Sequence, residues 1–148
     1  MTGASSDALG FVRLTEVGPR DGLQNEKRLV STAAKVEFVD SLSAAGFPEI
    51  EVSSFVSPKW VPQLGDAADV VARIRRRPGT VYSALVPNER GMDAALAARV
   101  DKVAIFAAAS EGFSAANTGG TIAEVIARFV PVVRAAQAAR VPVRAYVS

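Results

Sequence analysis

The sequence predicts an α/β fold in which strands and helices alternate and the strands lie parallel. Three observations predict it. Short apolar runs recur between longer stretches whose apolar residues fall at helical spacing. The connections are short and carry Gly, Pro, Asn and Ser, the residues that break regular structure. Each strand candidate is followed by a helix candidate before the next strand begins, the order of right-handed βαβ units.

Residues 11–19 (FVRLTEVGP) alternate apolar and polar side chains and break at Gly18-Pro19, which reads as the first strand. Ser31 is a good N-cap for a helix to about residue 45, with Phe38, Leu42 and Ala45 on its apolar face and Gly46 as the stop. Residues 49–56 (EIEVSSFV) form the second strand, and a loop (SPKWVPQLG) leads to Asp66, an N-cap for a helix containing Val70, Val71 and Ile74. Residues 80–86 (TVYSALV) are the third strand, and Asn88 caps an Ala-rich helix to about Arg99. Residues 102–108 (KVAIFAA) are the fourth strand.

Thr121 and Glu124 make a T-I-A-E capping box for a long helix with Ile122, Val125, Ile126, Phe129 and Val133 on one face. Pro131 falls inside that pattern and predicts a kink or a break, because proline removes a helix donor. Residues 141–148 (VPVRAYVS) are a fifth strand, and the sequence stops inside it.

Of 148 residues, 49% are hydrophobic and 22% charged, the balance of a domain with a real core. The formal net charge of +2 carries no nucleic-acid signal. The absence of cysteine excludes disulfides and thiolate metal sites for these residues, and the absence of histidine removes the commonest general base. No apolar run approaches the ~20 residues of a bilayer span. A soluble, cytoplasmic protein without nucleic-acid or membrane partners is the expectation.

Alternation alone fits either an open doubly wound sheet or a closed barrel. No G-x-G-x-x-G follows the first strand, so a dinucleotide site has no support. In a barrel the chemistry sits at the C-terminal ends of the strands and in the loops that follow them. Arg20-Asp21, at the end of the first strand, is the sharpest pair there. Asp21 suits a hard divalent cation and Arg20 suits a developing oxyanion, although the pair flanked by Pro19 and Gly22 equally suits a plain turn.

Glu51 alternates with Ser53, so both point into a barrel if one forms; a buried Glu there needs a partner such as Arg20. The opposite choice, an exposed carboxylate, stays open. Arg144 in the fifth strand faces the same two options. Trp60 reads as packing, Lys59 as solvated, and the Arg75–Arg76–Arg77 run as a solvated surface on the opposite face.

Together the loops carry a resemblance. Residues 16–27 (EVGPRDGLQNEK) and 53–66 (SSFVSPKWVPQLGD) resemble signatures of the hydroxymethylglutaryl-CoA lyases. Residues 106–119 (FAAASEGFSAANTG) and the terminal VPVRAYVS are similar to segments of the same family. The resemblance implies the first half of a TIM (β/α)8 barrel, four βα units plus a fifth strand. Residues 1–10 would be a flexible N-terminal segment, and residues 11–148 a partial, pyruvate carboxyltransferase-like barrel domain whose C-terminal half is absent.

The resemblance also implies metal-dependent retro-Claisen cleavage of 3-hydroxy-3-methylglutaryl-CoA to acetoacetate and acetyl-CoA. Asp21 would ligate the divalent cation (Mg2+ or Mn2+). Arg20 would bind substrate and stabilise the enolate, Gln24 would line the pocket, Glu51 would hold the hydrogen-bond network, and Arg144 would be a further substrate-binding residue. The family's remaining ligands, a His-x-His pair and an Asn, belong to the second half of the barrel. The cation site is therefore expected to be incomplete here and the isolated chain inactive. Two alternatives stand beside this one. One is a non-catalytic half-barrel that pairs with a second copy or a separate C-terminal half; the other is a related Claisen-type synthase or carboxyltransferase.

Overall fold

The structure, a computed structural model, describes residues 12–148. The expected N-terminal segment lies outside these residues. Helix α1 (Thr32–Ala44) starts where Ser31 accepts a hydrogen bond from the Ala34 amide and ends before Gly46, whose φ of +86° only glycine adopts without strain. Strand β1 (Glu49–Ser54) follows and is buried along its whole length. Helix α2 (Ala67–Arg73), strand β2 (Val81–Leu85), helix α3 (Glu89–Ala97) and strand β3 (Lys102–Ala107) continue the alternation. Two helices, α4 (Glu111–Thr118) and α5 (Ile122–Ala138), precede strand β4 (Val143–Val147).

The strands pair in the order β1-β2-β3-β4, and every pair is parallel. Helices pack on one side of the sheet. There Ile50, Tyr82, Ala84 and Val103 meet Val39, Met92 and Val132, all at most 1% exposed. On the other, concave side the strands present mostly polar groups: Glu49 and Glu51, Ser83, Lys102, Arg144 and Tyr146. A fully apolar sheet face would bury itself against another layer. This one is suited to surround polar chemistry.

Several expectations need correction. The first strand is reduced to a single parallel bridge, Glu16 to Ile50, held by Glu16 N–H to the Glu49 carbonyl (2.9 Å) and Glu51 N–H to the Glu16 carbonyl (2.8 Å). The Glu16 carboxylate then accepts from the Gly18 amide, and a wide π-helical turn, Gly18–Gly22, turns the chain away at once. Pro19, with no amide proton, cannot extend the ladder. On α1 the buried face is Lys35, Val39 and Ser43. Phe38 is 37% exposed, because its ring leans over Gly18 at the edge of the helix.

Asp66 stands at the N-cap position of α2 but makes no capping bond, since its carboxylate is taken by Lys35 and Thr32. The long helix α5 is unbroken through Pro131. Ala127, one turn earlier, is exposed, so water can serve the carbonyl that proline leaves without a donor. The face of α5 is Val125, Phe129, Val132 and Ala136, with Ile126 56% exposed. Helix α4 fills the connection between β3 and α5, its start capped by Ser110 and its end set by Gly119 at φ +68°.

Trp60, expected to pack, is 84% exposed. The Arg75–Arg76–Arg77 run is exposed as expected, yet tied down: Arg75 to Asp40 (2.8 Å), Arg76 to Asp101 (3.0 Å) and Arg77 to the Ser43 carbonyl (3.2 Å). A bulge in β1 pairs Glu51 with Ser83 but Ser53 with Ala84, a helix-side residue. It interrupts the alternation that would have set Ser53 beside Glu51.

Candidate active site at the mouth of the sheet

The site is built from the turn after the bridge and from the concave face of β1 and β4. The Gly18–Gly22 turn carries Arg20 over the concave face of β1, where its Nε donates to Glu51 Oε1 at 2.5 Å. Its Nη1 donates to Asp21 Oδ1 at 2.8 Å. Glu51 is fully buried, and the Arg20 side chain is 13% exposed. Such a carboxylate would be costly without a cation in contact. Its second oxygen accepts from the Tyr146 hydroxyl at 2.6 Å, so both oxygens of Glu51 are used.

Below this group, toward the strands' N-termini, lies a second ionic cluster. Glu49, also fully buried, has Oε2 2.7 Å from Lys102 Nζ and Oε1 3.0 Å from Arg144 Nη1. The Arg144 contact is close but not aligned as a hydrogen bond. Arg144 Nη2 donates to Thr15 Oγ1 at 3.0 Å, and Arg13 lies 3.8 Å from Glu49. Four cations (Arg13, Arg20, Lys102, Arg144) thus face three carboxylates (Glu49, Glu51, Asp21). The concave face is net positive, which favours an anionic ligand.

The Tyr146 phenol is pushed above its ordinary 10.0, first by burial and then by donating to Glu51, while Arg144 opposes the shift. It is therefore a protonated donor at neutral pH. For Arg144, burial would lower the pKa, but Tyr146 and the charges of Glu49 and Glu51 outweigh burial and raise it.

The structure thus brings Arg20, Asp21 and Glu51 together and adds Tyr146. Asp21 is the outermost, its side chain 58% exposed at the mouth. Gln24 is exposed in a neighbouring cleft of about 280 Å³ that it lines with Lys27, Trp60 and Gln63. Arg144 sits one rung below the Arg20–Glu51 pair. The sequence reading missed Tyr146, Glu49 and Lys102. Tyr146 was within reach of the rule applied to Glu51: it stands two residues beyond Arg144 on the same strand.

A family profile described as HMGL-like matches residues 11–146. The chain belongs to this family. Among its relatives is the 3-hydroxy-3-isohexenylglutaryl-CoA/hydroxy-methylglutaryl-CoA lyase of Pseudomonas aeruginosa, 58% identical over 93% of this chain and 46% of that protein. The mitochondrial hydroxymethylglutaryl-CoA lyase of Homo sapiens is 52% identical over 93% of this chain and 42% of its own. The crystal structure of the Pseudomonas aeruginosa lyase superposes with a TM-score of 0.89 at 57% identity, covering 92% of this chain and 45% of that one. An Acinetobacter baumannii HMG-CoA lyase in complex with coenzyme A and 3-methylmalate gives 0.87 at 36% identity, over 91% and 44%.

The chain spans less than half the length of these relatives. Its four parallel strands and alternating helices match the N-terminal part of the HMGL-like TIM barrels. That resolves the open-sheet-or-barrel choice in favour of a barrel arc. No helix among the described residues is long and apolar enough to cross a membrane.

Proposed function

We propose that this HMGL-like chain carries the strand-one-to-five side of an acyl-CoA lyase site. The protein would cleave 3-hydroxy-3-methylglutaryl-CoA, or a close 3-hydroxy-3-alkyl analogue, to acetyl-CoA and a 3-oxo acid. The observation that carries the reading is the Arg20–Glu51–Tyr146 group at the mouth of the sheet, with Asp21 beside it. In the cleavage a base takes the 3-hydroxyl proton, that oxygen becomes a ketone, and the adjacent carbon–carbon bond breaks. The electron pair passes to the acetyl-CoA enolate, which is then protonated on carbon.

The chain's own groups serve the charge that moves. Arg20 uses Nε and Nη1 on Glu51 and Asp21, and its Nη2 has no partner among the described residues. A guanidinium fixed by two carboxylates is preorganised toward an oxygen on which negative charge develops. Glu51 orients Arg20 and Tyr146 together, and Tyr146 keeps its proton as a donor.

The described residues contain no group of three acidic, His or Cys side chains able to hold a metal ion. A hard divalent cation takes about six oxygens, so the residues described here do not fit it by themselves. Asp21 would supply one oxygen to Mg2+ or Mn2+. A homodimer or a C-terminal half-barrel as partner, and a cytoplasmic location, belong to the same proposal; several mammalian relatives are named as mitochondrial.

The test is a chimera in which residues 11–147 replace the matching part of the Pseudomonas aeruginosa lyase. Cleavage of 3-hydroxy-3-methylglutaryl-CoA to equal amounts of acetoacetate and acetyl-CoA, lost on Arg20→Gln, is expected. A folded chimera with no cleavage sinks the reading.

A further inference from the structure

Two polar rungs cross the concave side of the sheet. Residues two apart on a strand point the same way, so Glu49 stacks below Glu51 on β1 and Arg144 below Tyr146 on β4. In the sheet order β2 and β3 separate these strands. Contacts between β1 and β4 therefore span the concavity instead of following the backbone ladder. In the upper rung Tyr146 donates to Glu51 (2.6 Å). The lower rung joins Arg144 to Glu49 (3.0 Å) and to Thr15 (3.0 Å).

The rungs touch through the tyrosine ring. The Arg144 guanidinium carbon lies 5.9 Å from the ring centroid of Tyr146, and that of Arg20 lies 5.8 Å from it. Each cation is tied to a different β1 carboxylate. We propose that Arg144 is a positioning residue: anchored on Glu49 and Thr15, it holds the Tyr146 ring so that the hydroxyl reaches Glu51 and keeps Arg20 in place.

β4 pairs with β3 alone among the described residues, and the β3 neighbour of Tyr146 is the uncharged Phe106. The charged groups facing the ring are Glu51 from β1, Arg20 from the turn and Arg144 from its own strand. Of these, Arg144 is the one anchored below the ring, on Glu49 and Thr15. Lys102 holds the far oxygen of Glu49 at 2.7 Å, so the anchor of Arg144 is itself fixed. The importance for catalysis rests on the lyase reading above; the geometry of the two rungs does not.

The experiment reads Tyr146 directly in the 148-residue chain. The sequence has two tyrosines, so Tyr82→Phe leaves Tyr146 as the single phenol, and its ionisation is followed by tyrosinate absorbance with far-UV circular dichroism recorded alongside. The Arg144→Gln variant is expected to move the midpoint down toward the ordinary 10.0, because a ring released from Glu51 loses both its burial and its acceptor. Glu49→Gln, which does not touch Tyr146, is expected to move it the same way. So is Arg144→Lys, which keeps the charge but loses the fork.

A further rise in Arg144→Gln overturns the proposal, since only the opposing cation would then have been removed. An unchanged midpoint in Glu49→Gln or Arg144→Lys overturns it as well. If Arg144→Gln does not fold, the other two variants decide. An inactive chimera would sink the lyase reading without altering this titration, so the two failures are distinguishable.

Discussion

Replacing Asp66 by Asn tests the ionic clamp that ties the loop after β1 to the start of α1. Lys35 is 5% exposed; its ammonium donates to the Gln63 carbonyl and lies 2.7 Å from Asp66 Oδ1, while Thr32 donates to Oδ2 at 2.7 Å. The Gln63 side chain extends the clamp, accepting from the Val30 amide (2.9 Å) and donating to the Arg28 carbonyl (3.0 Å). Asp66→Asn keeps the shape and removes the charge, leaving a buried ammonium uncompensated. Breaking a buried pair from one side costs about 3–5 kcal/mol. The Asp66 side chain is 21% exposed, which puts the expectation at the lower end, about 3 kcal/mol.

Urea denaturation at neutral pH, followed by circular dichroism, measures it. With a slope near 2 kcal/mol per molar, the midpoint should fall by about 1.5 M. Adding Lys35→Met to Asp66→Asn should recover part of the loss, because no lone charge then remains buried. Burial acts to raise the Asp66 pKa, but the Lys35 and Thr32 hydrogen bonds and the Lys35 charge outweigh it and hold it below 3.8. The stabilisation is therefore complete above about 3.8 and is lost as pH falls through the lower folded value. The gap between wild type and Asp66→Asn should close over that acid window. A neutral-pH loss under about 1 kcal/mol would refute the reasoning, since the pair would then behave like an exposed one.

Gly91→Ala sets helix propensity against space. Alanine favours a helix by about 1 kcal/mol, but its Cβ would stand 2.9 Å from the Phe55 carbonyl oxygen and 2.7 Å from Pro87 Cδ, so a net loss of about 1–3 kcal/mol by urea denaturation is expected. Met92→Ala, at a side chain with no exposure, should cost about 2–5 kcal/mol in the same assay. Tyr146→Phe leaves Glu51 Oε2 buried without its donor and should lower stability by about 1–3 kcal/mol.

What was legible in the sequence was local. Ser31, Asn88 and Thr121 announce helix starts because a side-chain oxygen can reach an amide two or three residues on, and the structure shows all three bonds. The parallel pairing of the strands followed from alternation, since a parallel connection needs a crossing helix. The helix faces were less legible. Lys35 occupies a buried position on α1 because Asp66 and Gln63, about thirty residues away, receive its charge. A reading that assigns every lysine to solvent rotates the face toward Phe38.

The active-site pattern divides along the same line. Arg20 and Asp21 stood out by their place at the end of the first strand and Glu51 by its alternation with Ser53, and the Arg20–Glu51 pair then forms between residues 31 apart. For Tyr146 and Glu49 the local signal is only their two-residue spacing from Arg144 and Glu51. Their roles depend on contacts across the concave face, 95 residues apart for Tyr146 with Glu51 and 129 for Arg144 with Thr15. Spacing along one strand says only that Arg144 and Tyr146 share a face. It becomes informative once a second strand is known to face the first across the same space. There, i and i+2 on β1 meet i and i+2 on β4, and acid meets base or phenol on both rungs. Two acids on one strand, opposite a cation and a phenol on another, are therefore a stronger sign of a built polar interior than any of the four residues alone.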